Sequence, residues 1–129
     1  MRILLDTQCW LWMESAPERL APEAVRLLED PANDLFLSSA SVWEIAIKHA
    51  LGKLRLPLPP GRYVPSRLAR SGVAALPIQV DHALRAGSLP PHHRDPFDRM
   101  LVAQAQVERL AILTADPRLR AYGVPLIRT

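Results

Sequence analysis

Cysteine is almost absent. Cys9 is the only one, so no internal disulfide can form and no cysteine-based zinc motif exists, which fits a reducing compartment. No apolar run approaches the ~18 residues needed to span a bilayer, so no membrane segment is expected. The N-terminal MRILLDTQCWLWM has the lone arginine and apolar residues of a secretion signal. However, Asp6 interrupts the run and no small-residue cleavage site follows, so a soluble cytoplasmic protein is expected. Internal repeats and low-complexity tracts are also missing, and there is no acidic residue between Ile45 and Val80.

The 129 residues suffice for one hydrophobic core but not two, so a single domain over 1–129 is expected. A hydrophobic fraction of 49% and a charged fraction of 22% are ordinary globular values, and they exclude disorder even with 13 prolines. A net charge of +3 permits an anionic partner without requiring one.

Short apolar runs alternate with helical patterns. Ile3-Leu4-Leu5 reads as a strand, and Asp6-Thr7 can cap a helix through Met13. Pro22 opens a second helix that closes near Asp30-Pro31. Leu35-Phe36-Leu37 is the next strand, and Ser38-Ser39 caps a helix through Lys48 that ends at Gly52. Pro57, Pro59, Pro60 and Gly61 predict a loop until a helix at Val64–Arg70. A strand within Val73–Ile78 and a short helix capped by Asp81 come next. The following helix starts at Asp95-Pro96 and buries Phe97, Met100, Leu101 and Ala105, with strands at Ala111–Thr114 and Val124–Ile127 after it. Continuously apolar strands between helices imply a parallel sheet covered on both faces, an α/β/α sandwich, whose ligands bind beyond the carboxyl ends of the strands.

Asp6 and Asp116 follow two such strands, and Glu44 lies among Val42, Trp43, Ile45, Ala46 and Ile47 in a helix. Each has a local explanation: Asp6 as N-cap, Asp116 as turn residue before Pro117, Glu44 as i,i+4 partner of Lys48. Asp95 as N-cap, Pro96 at N1 and Asp98 at N3 likewise make a favoured helix start. Local roles do not explain why all these acids fall at one predicted edge of the sheet. If they meet, each close pair repels by about 4 kcal/mol at 4 Å with an effective dielectric near 20, so the cluster must protonate or hold cations. Oxygen-only ligands select hard divalent ions such as Mg²⁺ or Mn²⁺ over zinc.

ILLDTQCWLW, SSASVWEIAIKHALGKL, LPPHHRDPFDRMLVAQA and ILTADPRLRAYGVPLI together resemble the PIN-domain ribonucleases, specifically the toxin half of VapBC-type toxin-antitoxin pairs, nearly end to end. The resemblance implies the PIN-like sandwich, metal-dependent cleavage of RNA to 5′-phosphate and 3′-hydroxyl ends, a cognate VapB-type antitoxin docking near the active site, and a homodimer. It implies that Asp6, Glu44, Asp98 and Asp116 are the acids of the site. Asp95 either joins the metal or mainly caps its helix, and Thr114 stands where a small hydroxyl can hold a carboxylate or a metal-bound water.

Cations for an RNA backbone are available in Lys48, Lys53, Arg55, Arg62, Arg67 and Arg70, although such a run also suits a solvated face. Arg94 and Arg99 flank the acidic stretch and are expected to contact phosphate. His92 and His93 could touch RNA, but they are adjacent in a Pro-rich loop and lack ligand spacing, so they are expected to be solvated and take no assigned role. Cys9 and the tryptophans Trp10, Trp12 and Trp43 are expected to pack in the core or an interface. A haloacid-dehalogenase-type phosphohydrolase would need a second Asp where Gln8 stands, and a receiver domain would need a late Lys, absent here. The alternative from another class is a non-catalytic RNA- or protein-binding module that keeps the fold, against which Asp6, Glu44, Asp98 and Asp116 argue.

Overall fold

Ile3, Leu4 and Leu5 are all fully buried, a pattern that only a strand covered on both faces can sustain. In the computed structural model, which describes residues 1–129, they belong to β1 (Arg2–Leu5), the central strand of a five-stranded sheet. β2 (Asp34–Ser38) and β3 (Ala74–Leu76) lie on one side of it, β4 (Ala111–Thr114) and β5 (Leu126–Arg128) on the other. The order is β3-β2-β1-β4-β5, and every pair is parallel.

Six helices cover the sheet: α1 (Thr7–Ser15), α2 (Pro22–Glu29), α3 (Ser39–Ala50), α4 (Pro60–Ser71), α5 (Val80–Ser88) and α6 (Pro96–Glu108). Because side chains alternate along a strand, Ile3 and Leu5 of β1 pack with Trp10, Ile45, Tyr63 and Val64 on one face. Leu4, with Ile112 of β4, packs against Leu101, Val102 and Ala105 of α6 on the other. The architecture is the α/β/α sandwich that the alternation of strands and helices predicts. No helix is long and apolar enough to cross a membrane.

Three local expectations are corrected. The helix predicted over Val64–Arg70 begins at Pro60, because proline at N1 carries a preset φ and lacks only an N–H that would go unpaired there. Pro65 lies inside the same helix. Asp81 does not cap α5: Gln79 is the N-cap, and its backbone N–H donates to Nδ1 of His82 at 2.9 Å. In α6, Phe97 and Met100 are only half-buried, whereas the continuous stretch Leu101–Ala105 is buried, since that part of the helix is covered by the sheet on one side and α5 on another.

The register carries function. Leu5 lies opposite Leu37 of β2 and Leu113 of β4, so these strands end at one level, and the Asp6 N–H still donates to the Leu113 carbonyl at 3.0 Å. Residues just past β1 and β4 therefore share an edge without any sequence proximity.

α6 closes on Arg109, the only non-glycine residue with positive φ, at 57°. A side chain in this left-handed region costs about 1 kcal/mol that glycine avoids. Arg109→Gly, at an exposed position, is expected to raise stability by roughly that amount in urea denaturation.

Candidate active site

The acids assemble through backbone devices at the helix starts. Asp6 is the N-cap of α1: its Oδ1 accepts the Cys9 N–H at 2.7 Å. Its Oδ2 accepts the Thr114 hydroxyl, and the Thr114 oxygen in turn accepts the Asp116 N–H at 3.0 Å. One threonine thus ties the acid after β1 to the acid after β4. Asp95 caps α6 by accepting the Phe97 N–H at 2.8 Å and the Asp98 N–H at 3.4 Å, and Asp98 follows within the first turn.

Glu44 comes from the middle of α3 and is nearly buried. Its carboxylate can only accept, so the Thr7 hydroxyl at 2.7 Å donates to it, and the Ser41 hydroxyl, 2.8 Å from Thr7, completes the relay by donating to Thr7. Lys48 pairs with the other oxygen at 2.7 Å. Both readings of Glu44 hold together: it makes the i,i+4 pair and also faces the cleft.

Asp6, Glu44, Asp95, Asp98 and Asp116 all line one cavity of about 380 Å³, joined by Lys48 and Lys53. Burial, first, and the neighbouring Asp95, Asp6 and Glu44 charges push the Asp98 carboxyl up to about 6, against an opposing pull from His93. Asp116 goes the other way, to about 2, chiefly because Arg118 donates to it from Nε at 3.0 Å and Nη2 at 2.9 Å. Carboxylates crowded this way, one of them inclined to keep its proton, form a donor set suited to a divalent cation.

His93 was expected to be solvated; it is buried, with Nε2 at 3.1 Å from Oδ2 of both Asp98 and Asp116. Nothing in HHRDP separates it from exposed His92, since its position depends on a distant partner, the Tyr122 hydroxyl that accepts its N–H at 2.9 Å. Thr7 and Ser41 were missed for the same reason, whereas Arg118 pairs with Asp116 only two residues away.

Arg99 is also corrected. Its guanidinium is spent on the carbonyls of Ala86, Leu89, Pro90 and His93, so it staples α5 and the following loop to α6 and is not free for phosphate. Arg94 is exposed. The basic run is not one stripe: Lys48 and Lys53 face the cleft, Arg67 lies over Tyr63, and Arg70 approaches Glu14 at 3.9 Å. Trp10 is buried in the core as expected, and Trp43 is 63% exposed, edge-on to Phe97. Cys9 is buried, and burial together with Asp6 pushes its thiol far up, which excludes a thiolate nucleophile.

The family profile described as PIN domain matches residues 3–125. Ribonuclease VapC16 of Mycobacterium tuberculosis is 48% identical over 69 residues, which is 50% of this chain and 48% of that protein. Ribonuclease VapC22 of the same organism is 29% identical over 124 residues, 95% of this chain and 93% of that one. Among solved structures, VapBC2 from Rickettsia felis bound to a DNA fragment from its promoter superposes with a TM-score of 0.75 at 14% identity, covering 99% of this chain and 98% of that one. At that identity the likeness concerns the fold.

Two outcomes test the site's electrostatics and its frame. In the unfolded chain Asp98 releases its proton near 3.8, whereas the folded protein holds it to about 6. Metal-free protein should therefore lose stability as pH rises from about 4 through 6, and Asp98→Asn should flatten that slope in thermal denaturation with chelator. Arg99→Met strands several carbonyls and is expected to cost about 2 kcal/mol or more in urea.

Proposed function

The chain belongs to the PIN-domain family, and on that premise we propose that it is a metal-dependent endoribonuclease acting as the toxin of a VapBC-type toxin-antitoxin pair. Residues 1–129 act in it as one domain. The observation that carries this reading is that five acids from four separate segments line a single cleft beyond β1 and β4. The relatives named ribonucleases support the reaction class.

Asp6, Asp98 and Asp116 are the principal ligands for one or two Mg²⁺ or Mn²⁺ ions, with Glu44 and Asp95 holding them directly or through water. Bound there, such an ion lowers the pKa of a water and offsets negative charge developing on the scissile phosphate. The chain's own residues supply orientation and grip. Thr114 holds Asp6, and the Ser41–Thr7 relay holds Glu44, so neither carboxylate has to be ordered when substrate arrives. Lys48 and Lys53 at the cleft, with exposed Arg94 nearby in sequence, meet the RNA backbone. A carboxylate takes the proton released by the attacking water.

The partners that follow are RNA, a VapB-type antitoxin and a second copy of the chain, in the cytoplasm. VapBC complexes among the structural neighbours support the antitoxin.

Purified protein with Mg²⁺ or Mn²⁺ is expected to cut RNA, and chelator to stop it. Asp6→Asn and Asp98→Asn are each expected to lower the rate by on the order of a hundredfold or more. Near-wild-type cleavage by both variants would reject the assignment and favour a non-catalytic binding module.

A further inference from the structure

We infer that His93 is a positioning residue that clamps Asp98 to Asp116 through a shared Nε2–H, and that it is not a ligand of the ion. This rests on the metal-site reading above and adds to it a residue that supplies no donor atom to the ion.

His93, Asp98 and Asp116 present atoms within 4.8 Å of one another, an arrangement that would pass for a mixed histidine-carboxylate metal site. The far side of the imidazole decides otherwise. Nδ1 lies 3.1 Å from the backbone N–H of Asp95, which can only donate, so Nδ1 carries a lone pair. In the neutral ring the proton therefore sits on Nε2, where it points at Oδ2 of Asp98 and Oδ2 of Asp116, each 3.1 Å away. Both carboxylate oxygens accept, so every contact is satisfied in this one tautomer. For Nε2 to bind a cation, the proton would have to move to Nδ1, where it would face the Asp95 N–H. Flipping the ring would set carbons against both partners.

The ring is also held at its backbone. The His93 N–H donates to the Tyr122 hydroxyl at 2.9 Å, that hydroxyl donates to the Pro90 carbonyl at 2.9 Å, and the His93 carbonyl accepts from Arg99 at 3.3 Å. Asp98 sits in α6 and Asp116 after β4, so no local structure fixes the gap between them. A buried ring bonded to both, on a loop bolted at both sides, does fix it. The ion then meets oxygen donors only, spaced in advance.

Two measurements test this on the full-length protein. In metal-free protein, at a pH where the His93 ring carries a single proton, two-bond ¹H–¹⁵N spectra should show that proton on Nε2; a single proton on Nδ1 overturns the proposal whatever the metal does. Mn²⁺ alone is then titrated into wild type, His93→Ala, His93→Gln and Asp98→Asn. His93→Ala is expected to weaken binding about 10- to 100-fold. His93→Gln, whose amide can donate from nearly the same place, should recover most of the loss. Equal loss in both variants, or strong ¹⁴N coupling from a directly bound imidazole in spin-echo spectra of the Mn²⁺-loaded wild type, overturns it. Should His93→Ala fail to fold, the tautomer, the spin-echo spectra and His93→Gln still decide. Failure of wild type to bind Mn²⁺, or binding undiminished in Asp98→Asn, would bring down the metal-site reading and this inference together. The tautomer spectrum tells that outcome from a failure of His93 alone.

Discussion

Carboxylates of like charge do not gather in a cleft unless something holds them there, and the geometry of this protein is largely the means of doing so. Parallel strands ending at one level bring Asp6 and Asp116 to the same edge. Helix starts then turn each acid inward while using its oxygens for capping: Asp6 for α1, Asp95 for α6, Asp116 for the Pro117–Tyr122 turn. Each acid is thereby held by backbone N–H groups whose own need for an acceptor it meets. Structural and functional readings of these residues are consequently not rivals, because the capping bond is what aims the carboxylate.

The residual charge is distributed unevenly. Glu44 has Lys48, and Asp116 has Arg118, while Asp98 has the His93 ring and three acidic neighbours. The place where charge is least compensated is the place where a cation has most to gain. Hydroxyl side chains do the fine positioning, Thr114 between the two strand ends and Thr7 with Ser41 at Glu44. They add no charge to a site that already has too much.

Much of this was legible in one dimension. Asp6 and Asp116 could be placed because each follows an apolar run with strand character, and parallel strands share an edge. Glu44 stood out because a carboxylate among Val42, Trp43, Ile45 and Ala46 needs a reason to be there. Arg99 and His93 were misjudged in opposite directions. Arg99 looked free because it lies one residue from Asp98, yet a helix turns successive residues by about 100° and its side chain runs instead to α5 and the Pro90 loop. His93 looked solvated because it shares a Pro-rich loop with His92, yet Tyr122 pulls its backbone inward.

The strand and helix alternation, the covered parallel sheet and the acids beside its carboxyl end are all written along the chain. These follow from hydrophobic period and capping chemistry, which act over a few residues. Which histidine enters the cleft, which arginine is consumed as a staple, and how far Asp98 stands from Asp116 emerge only on folding. Those outcomes depend on hydrogen bonds between segments tens of residues apart, and no local pattern encodes the direction in which such a partner lies.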